Sequence, residues 1–138
     1  MSPQLRYAQT MPRSTPPGTY LYFDGDDVGA AIELRLLEFD LEGAANISAK
    51  VSLGIESLSR KLESLLGGTI VFAAGDEVLA HLPNECDLTQ IDALRTQFHT
   101  ESGLTVSCGV GDNPRQATLN LHLAKLRGKN RTQELRGE

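Results

Sequence analysis

Residues 69–82 read TIVFAAGDEVLAHL, two apolar runs rich in strand-forming residues on either side of Gly75-Asp76-Glu77. Such a pattern closes a tight antiparallel hairpin, because β-branched and aromatic side chains suit a pleated, half-buried surface and Gly-Asp reverses the chain. The hairpin commits the molecule to an antiparallel sheet and puts two carboxylates, Asp76 and Glu77, on its turn. An acidic turn is most often only a solvated one. What it does therefore depends on what the rest of the chain brings beside it.

Upstream, TYLYFD at 19–24 is dense in aromatic and apolar residues, as a central strand covered on both faces would be, and it runs into the acidic stretch Asp24-Gly25-Asp26-Asp27. Asp26 or Asp27 then caps a helix with apolar positions Val28, Ala31, Ile32, Leu36 and Phe39. After an interruption at 40–43, a long helix carries a stripe of Ile47, Val51, Ile55, Leu58, Leu62, Leu65 and Leu66 until Gly67-Gly68 stops it. Downstream of the hairpin, Pro83-Asn84-Glu85 breaks the chain, and a shorter helix spans about 88–100 through Ile91, Leu94 and Phe98. A fourth strand follows at 104–110, LTVSCGV, and a last helix runs through Ala117, Leu121 and Ala124 to a stop at Gly128.

The order is that of a ferredoxin-like βαββαβ core: an α+β fold with an antiparallel sheet, helices on one face, and an additional C-terminal helix. Right-handed crossovers make the first and second strands parallel with the third inserted between them, so the hairpin turn lies at the sheet edge where the first strand ends. Asp24 and Asp76 become neighbours. The last helix starts at the far edge and returns; about thirteen residues at ~1.5 Å each cover roughly 20 Å, the length of a strand. Lys125, Arg127 and Lys129 are thereby expected beside the two Asp residues.

Composition narrows the function. At 138 residues and 40% hydrophobic content the chain is expected to form one domain over 19–131, after a Pro-rich leader at 1–18 that holds four of the six prolines, and before a tail at 132–138. A net charge of −5 opposes broad binding to nucleic-acid backbones, so no stable nucleic-acid partner is expected. Cys86 and Cys108 lack redox or metal-ligand spacing and read as packed thiols in a reducing compartment. No apolar run is long enough for a membrane span and no signal peptide opens the sequence, so the expected location is the cytoplasm, with no membrane partner.

Two carboxylates at adjacent strand ends, with the Gly25 carbonyl between them, are the hard oxygen donors that Mg²⁺ takes when it also keeps substrate phosphates. Two ions can share such a pair, with Asp24 and Asp76 as ligands and not bases. The helix start at Asp26-Asp27-Val28-Gly29 offers backbone N–H groups to a triphosphate, with Gly29 leaving room for the approach. Gly75 gives similar relief on the hairpin. Lys125, fixed on the last helical turn, is the foremost cationic contact, and Arg127 and Lys129 follow around a glycine.

The segments FDGDDVG, AAGDEVLA, SCGVG and LAKLRGKN resemble the minimal CRISPR polymerase (mCpol) domain, a relative of the palm domains of type III CRISPR polymerases, of GGDEF cyclases and of class III nucleotide cyclases. The resemblance spans about residues 19–131. It implies a palm domain in which Asp24 and Asp76 bind two Mg²⁺ ions (Mn²⁺ substituting) with the Gly25 carbonyl. It places Asp26, Asp27 and Val28 on the phosphate-contacting turn and Lys125 on the triphosphate. The implied activity joins NTPs, with ATP as the expected substrate, into a cyclic di- or oligonucleotide with release of pyrophosphate. A homodimer and a cyclic-nucleotide-responsive effector protein in anti-phage defence are the implied partners. The hairpin reads AGDEV and not GGDEF, which disfavours a dedicated diguanylate cyclase.

Other functions fit parts of the pattern: a nucleotide hydrolase similar to GTP cyclohydrolase III, a catalytically silent nucleotide sensor, and a metal-free interaction module. Retained Asp24, Asp76 and Lys125 argue against the sensor, and a basic tail meeting two acidic strand ends argues against the module. His81, His99 and His122 share no spacing and read as packing or surface residues, and Asp112 as a turn former. Glu77, Glu33, Asp40 and Asn46 have solvated readings as good as functional ones.

Overall fold

The computed structural model describes residues 15–135. Five strands, β1 (Thr19–Gly25), β2 (Thr69–Ala74), β3 (Glu77–Leu82), β4 (Val106–Gly111) and β5 (Thr132–Glu134), alternate with four helices, α1 (Val28–Leu37), α2 (Leu41–Leu66), α3 (Leu88–Ser102) and α4 (Pro114–Leu126). The sheet order is β2-β3-β1-β4-β5, with every pair among the first four strands antiparallel and β5 parallel to β4. The α+β, ferredoxin-like order expected from the sequence is present, with β3 between β1 and β2.

Alternation along β1 sorts the core into two layers. Leu21 and Phe23 pack with Val51, Ile55, Leu58 and Leu62 of α2 and Ile91, Leu94 and Phe98 of α3. Tyr20 faces the other way, toward Leu79 and Ala117 of α4, with Tyr22, Val71 and Phe72 alongside. The core helices thus share one face, and the added helix α4 covers the other. On that second face β4 carries glycines because α4 lies almost on its backbone: a Cβ on Gly109 would stand 2.1 Å from the Ala117 carbonyl oxygen and 2.2 Å from the Leu121 nitrogen. Only a residue without a side chain fits there.

Two local expectations differ from the fold. The apolar stripe assigned to α1 is not a core face: no residue of α1 is buried, and Phe39, 95% exposed, lies past the helix end at φ 58°. Val28 at its start packs against the core, whereas Leu36 and Phe39 toward its end stay exposed. The second difference is β5, three polar residues, Thr-Gln-Glu, within the expected tail. It pairs through backbone bonds to Cys108–Val110, which a hydrophobic pattern does not record.

Of the Pro-rich leader, residues 1–14 lie outside the described residues. Pro16 and Pro17 are tied to the sheet: the Tyr20 hydroxyl donates to the Pro16 carbonyl (2.8 Å), and His81 Nε2 lies 2.8 Å from that of Pro17. Cys86 and Cys108 are free thiols, and burial pushes the Cys108 thiol far above its ordinary pKa. Among the described residues, no helix is long and apolar enough to cross a membrane.

Candidate active site

The register of β1 against β3 pairs Asp24 with Glu77, and the Gly25 N–H donates to the Asp76 carbonyl at 2.9 Å. The end of the first strand and the hairpin turn therefore meet as the topology requires. Gly25 is needed at the meeting point, since a Cβ there would sit 3.0 Å from Asp76 Oδ2 and 2.7 Å from a Val28 methyl. The turn itself is Gly75-Asp76, with Gly75 at φ 60°.

From the opposite face, α4 delivers Lys125 into the same place. Its ammonium donates to the Asp24 carbonyl (3.1 Å), the Gly25 carbonyl (2.9 Å) and Asp26 Oδ1 (2.7 Å), and lies 3.1 Å from Asp24 Oδ2. Burial pulls the Lys125 pKa down, but Asp26 and Asp24 outweigh it and hold it above the usual lysine value. Asp76 has no such cation in contact. Burial, and then the Asp24 charge beside it, push its pKa up.

Asp24, Asp26 and Asp76 gather three carboxylates around the single ammonium of Lys125, and Asp27 is paired separately with Lys129. The cluster keeps net negative charge. The donor chemistry fits a divalent cation, because the ammonium already stands among carboxylate and carbonyl oxygens, the hard ligands that Mg²⁺ prefers. No group of three or more His, Cys, Asp or Glu side chains poised for a metal occurs among the described residues.

The expected phosphate turn divides in two. Asp26 turns inward: its side chain is 3% exposed, and its backbone N–H is spent on the Thr105 carbonyl at 2.9 Å. Asp27, at φ 56°, is the N-cap of α1 but caps no N–H with its side chain. Val28 and Gly29 in the first turn flank a cleft of about 300 Å³, bounded by Ile32, Ser48, Val51, Ser52, Gly75 and Asp76. A Cβ on Gly29 would meet nothing within 4 Å. The cleft therefore opens beside Asp76 with the helix N-terminus on its wall, where a helix is most hospitable to anions.

Among the cations, Lys125 and Lys129 reach the site and Arg127 does not. Arg127 donates to Gln133 Oε1 of β5 at 3.0 Å. Glu77 lies near the site through Tyr22, whose hydroxyl donates to Glu77 Oε2 at 3.4 Å and whose pKa is raised by burial and by that carboxylate. Sequence reasoning missed Thr105, Ser107 and Asn130, all bonded to Asp26. A signal existed for the first two: hydroxyls at i and i+2 in an otherwise apolar strand share one face and ask for a polar partner.

The chain matches the family model of mCpol, the minimal CRISPR polymerase domain, over residues 20–135. Similar solved structures include the GGDEF domain of DgcB from Caulobacter crescentus in complex with c-di-GMP, at 15% identity over 84% of this chain and 76% of that one, with a TM-score of 0.62. The active GGEEF domain of a diguanylate cyclase from Vibrio cholerae is 15% identical over 99% of this chain and 91% of that one, with a TM-score of 0.54. The Csm1–Csm4 cassette in complex with pppApA is 20% identical over 87% of this chain and 21% of that one, with a TM-score of 0.59. These likenesses show the shared α+β palm fold. No curated protein matches the chain.

Proposed function

The chain belongs to the minimal CRISPR polymerase family, and from that premise we propose that it joins nucleoside triphosphates, ATP foremost, into a cyclic di- or oligonucleotide with release of pyrophosphate. The observation that carries the reading is the meeting of Asp24 with Asp76, which lines a cleft, with net negative charge left over after Lys125 is counted. Asp24, Asp76 and the Gly25 carbonyl would hold two Mg²⁺ ions, with Mn²⁺ as a substitute. Bound there, the ions supply activation of the attacking ribose hydroxyl and neutralisation of phosphate charge.

The chain's own residues do the rest. Val28 and Gly29 offer N–H groups to the triphosphate from the first turn of α1, and the open space at Gly29 lets it approach. Lys125 supplies positive charge beside Asp24, and Lys129 does so at the outer rim through its exposed pairing with Asp27. Arg127 is available only if it leaves Gln133. Ile32 and Val51 give the cleft apolar walls and Ser48 and Ser52 hydroxyls; none of its lining side chains apart from Asp76 is charged, which favours adenine over a base that must be gripped by a carboxylate.

One cleft of this size takes one nucleotide, so the second is expected from a second copy of the chain. The neighbouring Csm1–Csm4 structures carry pppApA or cA4, and by analogy a cyclic adenine nucleotide read by an effector in anti-phage defence is the proposed role here. The test is to incubate the protein with each NTP and with mixtures in Mg²⁺ or Mn²⁺ and identify products by mass spectrometry. A linked, cyclised nucleotide supports the reading. A hydrolysed, unlinked nucleotide would favour a cyclohydrolase-like activity, and tight triphosphate binding with no product a sensor.

A further inference from the structure

Among the described residues, three of the four non-glycine residues with left-handed backbone, Asp27 (φ 56°), Lys129 (φ 65°) and Asn130 (φ 48°), gather in two loops that meet at the site. Backbone held in this region is costly and persists where surrounding contacts enforce it. One of those contacts comes from Asp26, which accepts from the Asn130 N–H. Its Oδ2 accepts from the Thr105 hydroxyl (2.7 Å) and the Asn130 N–H (2.9 Å), and its Oδ1 from the Ser107 hydroxyl (2.7 Å) and the Lys125 ammonium (2.7 Å). One carboxylate thus joins the end of β1, the strand β4, the helix α4 and the 128–131 loop.

That leaves Asp26 with no vacancy for a nucleotide, and of its four partners Lys125 is the one that also touches Asp24 and Gly25. An ammonium has three N–H donors, yet four oxygens lie within 3.1 Å of this one. Three of the four, Asp24 Oδ2 and the carbonyls of Asp24 and Gly25, belong to the residues assigned above to the divalent cations. The fourth, on Asp26, is the nearest, and it is the only one whose carboxylate is already fixed by three other donors.

We propose that Asp26 is a positioning residue, an anchor that keeps the Lys125 ammonium at the mouth of the site when its other oxygens are taken by a cation. Without that anchor, a flexible four-carbon stem would release its charge into water and would have to be ordered again for each triphosphate. With it, Lys125 turns about one fixed contact, from the Asp24 and Gly25 oxygens toward the arriving phosphates. The nucleotide part of this inference rests on the reading given under Proposed function; the anchoring itself does not.

The test is a double-mutant cycle on Asp26→Asn and Lys125→Met, reading the affinity for a non-hydrolysable ATP analogue with Mg²⁺ by calorimetry. Asp26→Asn is expected to weaken binding about tenfold in the natural chain and to add no loss in the Lys125→Met background. An equal loss in both backgrounds would overturn the proposal. A second readout needs no nucleotide: with Mg²⁺ present, the Lys125 Nζ protons, followed by nitrogen-15 NMR, should exchange slowly in the natural chain and quickly in Asp26→Asn. Fast exchange in the natural chain, or slow exchange in the variant, would overturn it equally. If Asp26→Asn does not fold, Thr105→Val and Ser107→Ala, which loosen the carboxylate and leave its charge, should each speed that exchange; unchanged exchange in both would count against the anchor. Asp26-dependent protection without analogue binding would sink the nucleotide function and leave the anchor standing.

Discussion

Asp26 and Asp76 carry the same chemical group, and their surroundings drive them in opposite directions. Burial raises the pKa of each, but four donors at Asp26 outweigh it and hold that carboxyl below its ordinary value, whereas at Asp76 the Asp24 charge adds to burial. A lowered folded pKa gives stability that is present above the usual carboxylate range and lost as pH falls through it; a raised one gives stability present below that range and lost as pH rises. In chelator at pH 7, Asp26→Asn should therefore cost about 3 kcal/mol, in keeping with a broken buried ion pair, and the deficit should shrink below pH ~4. Asp76→Asn should instead raise the melting temperature by about 2 °C at pH 7, a small effect because the group is only part-buried, and the gain should vanish in acid. Thermal melts across pH check both. The acidic run FDGDD gave no cue that its middle carboxylate turns inward, because which face a residue takes depends on register with β4, and register is not written in β1 alone.

The hairpin and its partner strand were legible as elements because both carry strong local signals: dense strand formers, a two-residue turn, and a long apolar helix stopped by paired glycines. Their meeting followed from handedness, a rule that needs only element order. The convergence of Lys125 was legible from the length of α4 against a strand. What makes it work, the glycines of β4 that let α4 settle on the sheet, read in sequence only as the unremarkable SCGVG. Gly109→Ala should lower stability by about 3 kcal/mol in urea unfolding, because its methyl meets helix backbone and not a side chain that can move aside. A variant as stable as the natural chain would mean that α4 does not rest where it is described. β5 escaped notice for the opposite reason, since three polar residues that add a strand by backbone bonds alone leave no periodicity to find.

At the scale of the molecule, two faces of one sheet cooperate. The α2–α3 layer supplies a conventional core and the long wall of the cleft, while α4 on the other face supplies the cation. The site forms at the one sheet edge where β1 ends, β3 begins and α4 arrives, so its chemistry belongs to no single segment. Residues 15–18 extend this unit at Tyr20 and His81 and the 128–134 stretch closes it against α3, where Arg95 donates to Asn130 and Thr132.

Pyrophosphate release from ATP, followed against Mg²⁺ concentration in the natural chain, in Asp24→Asn and in Asp76→Asn, is the most direct measure of whether the two carboxylates form a nucleotide-joining centre. The expected result is Mg²⁺-dependent release of one pyrophosphate per phosphodiester bond formed, with a loss of about a thousandfold or more in each variant. Release that persists in both variants, or orthophosphate in place of pyrophosphate from the natural chain, would contradict it.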